Sequence, residues 1–262
     1  MFPNLLTQLG DWNPQLFREI RGRFKSRNVL AALVLSLLGQ FCLFLHFYRS
    51  KFGDASILEY AFLKDDLIQS RLWWFDIFHL LFRFAFLLLM VLGSYLLTDD
   101  ISGEARRGTL TFLRLSPQSS RRILIGKLLG VPILLYIAIA LTLPLQIWAA
   151  IKAELPVWGL GLVYLMGAAI CASAYSFALF YSLLWMSKAR VWYVVVPVGG
   201  FSIFLSSIWN SWGNDYRLSI TSSADYTVSF FWFVFLFAVF ASATCWFWEA
   251  SIHGFRHSPP DR

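Results

Sequence analysis

The sequence predicts an all-α membrane protein. It has six transmembrane helices, an N-terminal interfacial amphipathic helix and a short cytoplasmic helix between spans two and three. Three observations predict this. The first is composition: 58% of the 262 residues are hydrophobic and 14% are charged, against about 25% charged in an ordinary soluble domain. Mean hydropathy is +0.61. The second is a set of six apolar runs near the length of about 20 residues that crosses a hydrocarbon core of about 30 Å. The third is sidedness, because Lys and Arg gather in alternate loops. A β-barrel is a poor alternative, since its strands would alternate in polarity and these runs do not.

The chain divides into residues 1–28, a six-span domain over 29–249 and a tail over 250–262. Residues 13–27 read NPQLFREIRGRFKSR. Pro14 suits a first helical turn. Leu16, Ile20 and Phe24 recur at i, i+4 and i+8, while Arg18, Arg21, Arg23, Lys25 and Arg27 supply charge. This pattern predicts a basic helix lying in the membrane surface, with Arg18, Glu19 and Arg21 on it and anionic lipid as its neighbour. It also serves as a positive-inside flank, and the two readings are compatible.

The runs are Val29–Tyr48, Ile77–Leu97, Leu128–Ala150, Val157–Met186, Val191–Trp209 and Val228–Trp248. The third carries Pro132 and Pro144. The fifth carries Pro197, Gly199 and Gly200, which are expected to bend or break it. Counted by loop, fourteen Lys and Arg fall on one face and six on the other. Both termini and the Asp99–Arg122 loop are therefore expected in the cytoplasm. Trp73, Trp74, Trp158, Trp209, Trp212, Trp246 and Trp248 fall at run ends, where indole rings anchor at the interface.

The net charge of +7 follows from this sidedness and needs no nucleic acid as partner. Cys42, Cys171 and Cys245 lie within apolar runs, which argues against a disulfide framework or a metal site. No phosphate-binding GxxxxGK[ST] loop occurs, so the chain is not expected to bind ATP itself. HExxH and GxSxG are also absent, and the expectation is a protein that is not an enzyme and binds no cofactor. Glu249 and His253, at i and i+4, sit at a membrane exit and read as an interfacial pair. Asp76, His79 and Arg83 share one face of span two at i, i+3 and i+7. Charge within a span costs about 2.5–3.5 kcal/mol at mid-membrane. The stripe is therefore either one wall of a translocation path or a case of Arg83 snorkelling outward to Asp76.

The loop DDISGEARRGTLTFLRLSPQSSRR, Asp99–Arg122, is the long polar interruption on the basic side, with five Arg and three acids. Asp99 or Ser102 is expected to cap a short helix, Gly108 to interrupt it, Pro117 to stop it, and Ser119 or Ser120 to cap the next. Leu110 and Leu113 form an apolar pair at i and i+3, with Phe112 beside them and Arg106, Arg107 and Arg114 around. Such a helix fits a groove on a partner protein, while the plainer reading is a solvated loop that sets topology.

EARRGTLTFLRLSPQSSRRILIGKLLG resembles the loop between spans two and three of ABC-2 type permeases, the membrane subunits of bacterial ATP-driven exporters. The matching residues are Glu104, Gly108, Thr109, Leu110, Leu113, Ser116, Pro117 and the Gly126–Lys127 pair. NPQLFREIRGRF, with Asn13, Pro14, Arg18 and Glu19, resembles that family's interfacial helix. The resemblance implies that the loop is a cytoplasmic coupling helix. It places Glu104, Arg107, Gly108, Thr109, Leu110 and Leu113 against a separate ABC ATP-binding subunit that carries ATP-Mg. It further implies a homodimer or a pair with a paralogous permease, in the bacterial inner membrane. The Asn210–Thr227 loop is short and the first external loop, 28 residues from Arg49, is long for the pattern. The alternative is a non-transporting scaffold that recruits a cytoplasmic partner through the same loop. An intramembrane lipid enzyme and a secondary transporter have less behind them: one polar stripe, and no internal repeat.

Overall fold

A computed structural model describes residues 12–52, 66–116, 118–185, 194–203, 205, 213 and 230–257, and these are all-helical, with no strand among them. Helix α1 spans Pro14–Arg23, α2 Ser26–Phe52, α3 Asp66–Arg106, α4 Thr109–Leu115 and α5 Ser120–Gly130. Helices α6 Ile133–Ala140, α7 Leu143–Lys152 and α8 Val157–Trp185 follow. A shorter apolar helix, α9, covers Val194–Ile203, and α10 runs from Phe230 to His257.

Five stretches are long and apolar enough to cross a membrane: in α2, in α3, across α6 and α7 together, in α8 and in α10. Six were expected. In the fifth run only the ten-residue α9 and residue 205 are described, and α9 continues through Pro197, Gly199 and Gly200 without the expected break. The rest of that run, Pro117, the loops 187–190 and 210–227 apart from residue 213, and residues 258–262 lie outside the described residues.

The other differences have local causes. The 41 residues of α3 reach about 60 Å at 1.5 Å per residue, twice the hydrocarbon core. Its first turns take up part of the expected external loop. Its last turns run through Asp99 and Ser102, so neither starts a new helix. Ser102 Oγ instead bonds back to the Asp99 carbonyl at 3.2 Å inside the helix. The tail is helical to His257, because Ile252 and Phe255 are buried against Leu97, Ile101 and Ile123 and extend the apolar face past Trp248.

Span three is not one rod. It turns at Val131–Pro132 and again at Leu141–Thr142, two residues before Pro144. Proline offers no N–H to the preceding turn and crowds it. At the second break the Thr142 N–H shortens its bond to the Ile139 carbonyl, 2.8 Å away. The Ala138 carbonyl, left over, accepts Ser36 Oγ of α2 at 2.6 Å. Gln40 Nε2 reaches the Leu141 carbonyl at 3.4 Å and Ser36 Oγ at 3.2 Å. On the far side of the break Gln146, buried, donates to Thr142 Oγ1 and accepts from Tyr164 of α8, both at 2.7 Å. Thus α6 packs on α2, and α7 packs on α3.

The core is layered along α3 and α8, which pack together. Toward the Asp66 end Trp73, Ile77, Phe78, Leu81 and Phe82 close on Ala149 and Ala150. In the middle Met90 meets Ile170, Ala174 and Ala178, with Val194 and Val198 of α9. Toward the Arg106 end Leu97, Ile101, Leu110, Ile123, Leu124, Leu179 and Leu183 meet Ile252 and Phe255. Gly93 leaves room for the Tyr175 hydroxyl, which donates to the Leu89 carbonyl at 2.7 Å.

Candidate functional site

The site lies at the basic end of the bundle, where α1, the end of α3, α4 and α5 converge. Construction begins at Asn13. Its Oδ1 accepts the Leu16 N–H at 3.1 Å and so caps α1, which opens with Pro14. Its Nδ2 donates to the Arg122 carbonyl at 2.7 Å and ties that cap to α5. Helix α5 is capped in turn by Ser119, which accepts the Arg122 N–H. The two helices touch because α5 presents glycines. A Cβ on Gly126 would stand 2.8 Å from the Leu16 nitrogen, and one on Gly130 would stand 2.6 Å from the Glu19 Cβ. Small residues here let backbones approach.

This contact carries Glu19 onto Lys127, and Lys127 onto the last turns of α3. Lys127 is fully buried. Its Nζ lies 2.6 Å from Asp100 Oδ2, 2.7 Å from Glu104 Oε2 and 3.8 Å from Glu19 Oε1. Arg23 adds a 2.6 Å bond to Asp100 and a 3.5 Å approach to Glu19. Arg18 bonds Glu104 at 3.0 Å. Gln15, also buried, donates to Glu19 at 3.0 Å. Three carboxylates thus face three cations in a neutral cluster that joins α1, α3 and α5. An oxygen from each of Glu19, Asp100 and Glu104 lies within 4.8 Å of the others, which is metal-ligand spacing. The Lys127 ammonium already supplies the positive charge there, so the arrangement is structural. A buried ion pair of this kind is weak support for stability in itself but costly to break from one side.

Beyond the clasp α3 ends at Arg106, and Gly108 turns the chain with φ of 72°, a left-handed conformation that only glycine adopts without strain. Thr109 Oγ1 donates back to the Glu104 carbonyl at 3.2 Å. Helix α4 then lies against the end of the bundle. Leu110, 3% exposed, is buried with Leu97, Ile101, Ile123 and Phe255, and Leu113 packs against the same group. Phe112 and Leu115 point outward, 75% and 78% exposed. Arg106, Arg107 and Arg122 are exposed as well. Arg121 pairs with Glu249 of α10 at 3.1 Å.

The expected interface residues therefore divide. Arg107, Gly108 and Thr109 are at the surface. Glu104 is turned inward onto Lys127 and Arg18, and Leu110 belongs to the core. The apolar pair that faces out is Phe112 and Leu115, not Leu110 and Leu113. Both pairs have the same i, i+3 spacing, so the sequence offers no way to choose between them. On α1, Arg18 and Glu19 enter the clasp while Arg21 is exposed. The Gly126–Lys127 pair was visible as a motif; the partners of Lys127, 27 residues away at Asp100 and more than a hundred at Glu19, were not.

Asp76, His79 and Arg83 do share one face of α3, as one continuous helix requires. Asp76 is buried, and the other two are partly buried. Gly213 lies so close to His79 that a Cβ there would stand 2.7 Å from Nε2. The stripe is in the half of α3 away from the clasp.

Comparison with known proteins adds nothing to this geometry: no family model, no curated protein and no solved structure matches the chain.

Proposed function

We propose that the chain is the permease subunit of an ATP-driven ABC exporter. It would form the translocation path in a bacterial inner membrane, with both termini in the cytoplasm, and would couple to a separate ATP-binding subunit through the loop over Asp99–Arg122. The observation that carries this reading is α4 itself. It is a short helix packed on the end of the bundle through Leu110, next to a continuous α3 and a neutral ionic clasp, and it presents Phe112 and Leu115 to solvent. A helix held this rigidly can transmit a push into the spans. A solvated loop that only sets topology needs no six-charge support centred on a buried lysine.

The direction of the helices favours the six-span version. Helix α8 ends toward the basic end, where Leu179 and Leu183 lie with Leu97. Helix α10 finishes at that same end, because Ile252 and Phe255 are in the same group, so it begins at the other. In this reading the chain between Trp185 and Phe230 crosses once more, and the apolar α9 falls in that stretch of sequence.

Hydrolysis and ATP-Mg belong to the partner in this reading. The role of this chain is to bind that partner and to convert its closure into a movement of α3 and α5 against α2 and α8. A second copy, or a paralogous permease, would complete the path. The exposed apolar faces of α2 (Leu35, Leu38 and Phe41) and α10 (Val234, Phe235 and Val239) suit lipid or such a copy. The stripe of Asp76, His79 and Arg83 is the candidate polar wall of the path.

The test is affinity purification of the tagged full-length protein from its native membrane in mild detergent, with and without Gly108→Trp. The φ of 72° at Gly108 strains any side chain, and tryptophan would displace α4. A stoichiometric P-loop ATPase is expected with the native chain and not with the variant. An intact protein that never brings down an ATPase would move the assignment to a non-transporting scaffold.

A further inference from the structure

We propose that α2 and α6 form a two-helix paddle that tilts as one body against the clasped platform of α1, α3 and α5, with the Tyr136 hydroxyl as its catch. The inference needs no ATP-binding partner and stands apart from the permease reading.

Three interruptions of the helices bound this pair. Phe24 and Lys25 part α1 from α2, Val131–Pro132 parts α5 from α6, and Leu141–Thr142 parts α6 from α7. The first two lie where the chain leaves the clasp. Before them, α1 and α5 are locked together and to α3, by Asn13 on the Arg122 carbonyl, by Lys127 on Asp100, Glu104 and Glu19, and by close backbone approach at Gly126 and Gly130. After them, the hold changes. Ser36 and Gln40 of α2 donate to the Ala138 and Leu141 carbonyls, so α2 and α6 travel together. At the far end of α2, Trp73 Nε1 donates to the Phe47 carbonyl at 3.0 Å and pins that end to α3. A body jointed at one end and pinned at the other tilts about the pin. Hinges of this kind need only a few residues at the ends of elements to absorb the backbone change.

Packing separates the pair from its surroundings in the same way. In α5, Ile123, Leu124, Gly126, Lys127 and Gly130 are buried, and in α7 Gln146, Ala149 and Ala150 are. In α6, between them, only Leu135 is buried. None of Ser26–Tyr48 in α2 is buried. Helix α6 packs mainly on α2, with lesser contacts to α3 and α1. Elements that move are drawn from regions with few buried contacts. Close-packed interiors resist displacement, whereas fluid lipid around α2 and α6 makes way for it.

The catch sits on the joint between α5 and α6. Pro132 has no N–H, so the Leu128 carbonyl loses its donor one turn back. In hydrocarbon such a group must be satisfied from elsewhere. Tyr136, one turn beyond the proline, supplies the bond: its hydroxyl donates to the Leu128 carbonyl at 3.1 Å. The bond crosses the joint from the paddle to the platform. It holds the observed angle, and a side chain, unlike a backbone N–H, lets go without unwinding either helix.

The experiment measures distance distributions between spin labels in the full-length protein in lipid nanodiscs. One pair, Arg122 and Ala140, spans the joint between α5 and α6. A second, Leu30 and Ala140, lies within the paddle. A third, Leu88 and Ile151, joins α3 to α7. All five positions are exposed. We expect two populations for the first pair and one for each of the others. Tyr136→Phe should raise the minor population about threefold, the ratio set by an average interhelical hydrogen bond in a membrane. Pro132→Ala restores the missing N–H and should merge the two populations into one. An unchanged Leu88–Ile151 distance verifies that each variant is folded. A single narrow Arg122–Ala140 distance in both the native chain and Tyr136→Phe overturns the proposal. So does a Leu30–Ala140 distribution as broad as that across the joint, because α2 and α6 would then not move as one body. Broadening of all three pairs overturns it as well, since the whole bundle would be loose. None of these outcomes depends on whether an ATPase copurifies, so the permease reading stands or falls separately.

Discussion

Two of the polar regions among the described residues join separate helices by different chemistry. At the basic end Lys127, Glu19, Asp100 and Glu104, with Arg18 and Arg23, form a clasp of full charges. Within the apolar stretch Ser36, Gln40, Thr142, Gln146 and Tyr164 form a seam of neutral hydrogen bonds around the break in span three. The difference follows depth. Near the headgroups Arg18 keeps its head partly in water while its partners are covered, so charge can be gathered cheaply. Deep in the span a charge costs several kcal/mol, and amides and hydroxyls satisfy freed carbonyls instead. The clasp links three helices from separate parts of the chain. The seam repairs one helix and fastens its halves to different neighbours.

The clasp and the seam should therefore respond differently to mutation. The largest effect is expected from Lys127→Met, which leaves three carboxylates facing one another with only the two arginines on one side. Removing one partner of a buried pair costs about 3–5 kcal/mol. Helix α1 should detach, and limited proteolysis within residues 14–23 should become fast while the spans remain protected. Unchanged protection would mean that the glycine contact alone holds α1. Gly130→Leu attacks that contact, since even its Cβ would stand 2.6 Å from the Glu19 Cβ. Overpacking of this kind costs about 1–3 kcal/mol. It should give a partial version of the same proteolytic pattern, with the charges all present. The smallest effect is expected from Gln146→Leu in the seam. Hydrogen bonds between helices in membranes average about 0.6 kcal/mol and reach about 1.7. Unfolding in mixed micelles should shift by that amount and be indifferent to salt, whereas α1 protection in the native chain should weaken as salt screens the exposed side of the clasp. A salt-sensitive Gln146→Leu effect would erase the distinction drawn between the regions.

Much of the architecture was readable before the structure. Val29–Tyr48, Val157–Met186 and Val228–Trp248 each correspond to a helix, with one end coincident and the others displaced by up to nine residues. The amphipathic segment from Pro14 is α1, and Gly108 and Ser119 act as turn and cap as their residue types require. Boundaries misread were those that packing sets. Asp99 and Ser102 are good cap residues in isolation, yet helix α3 runs past them because Ile101 between them is wholly buried and Asp100 is needed by Lys127. Pro144 announced a break but not what would occupy its freed carbonyls. That answer is Ser36 and Gln40, a hundred residues earlier.

What the sequence determined alone was whatever follows from composition and short period: a helical, membrane-crossing chain, its basic side, its turn residues and its stretches of amphipathic character. These depend on transfer of side chains between water and hydrocarbon, which each segment settles for itself. What only the tertiary structure decided was pairing and facing. Glu19, Asp100, Glu104 and Lys127 meet because two glycines let α1 lie on α5, and no local property of any of the four announces the others. Likewise Leu110 is inside and Phe112 outside because the last turn of α3 and the left-handed Gly108 fix the rotation of α4 about its axis. A helix of seven residues with two equivalent apolar pairs has no preference of its own, so the surrounding core chooses the face that is buried and, with it, the face left to meet a partner.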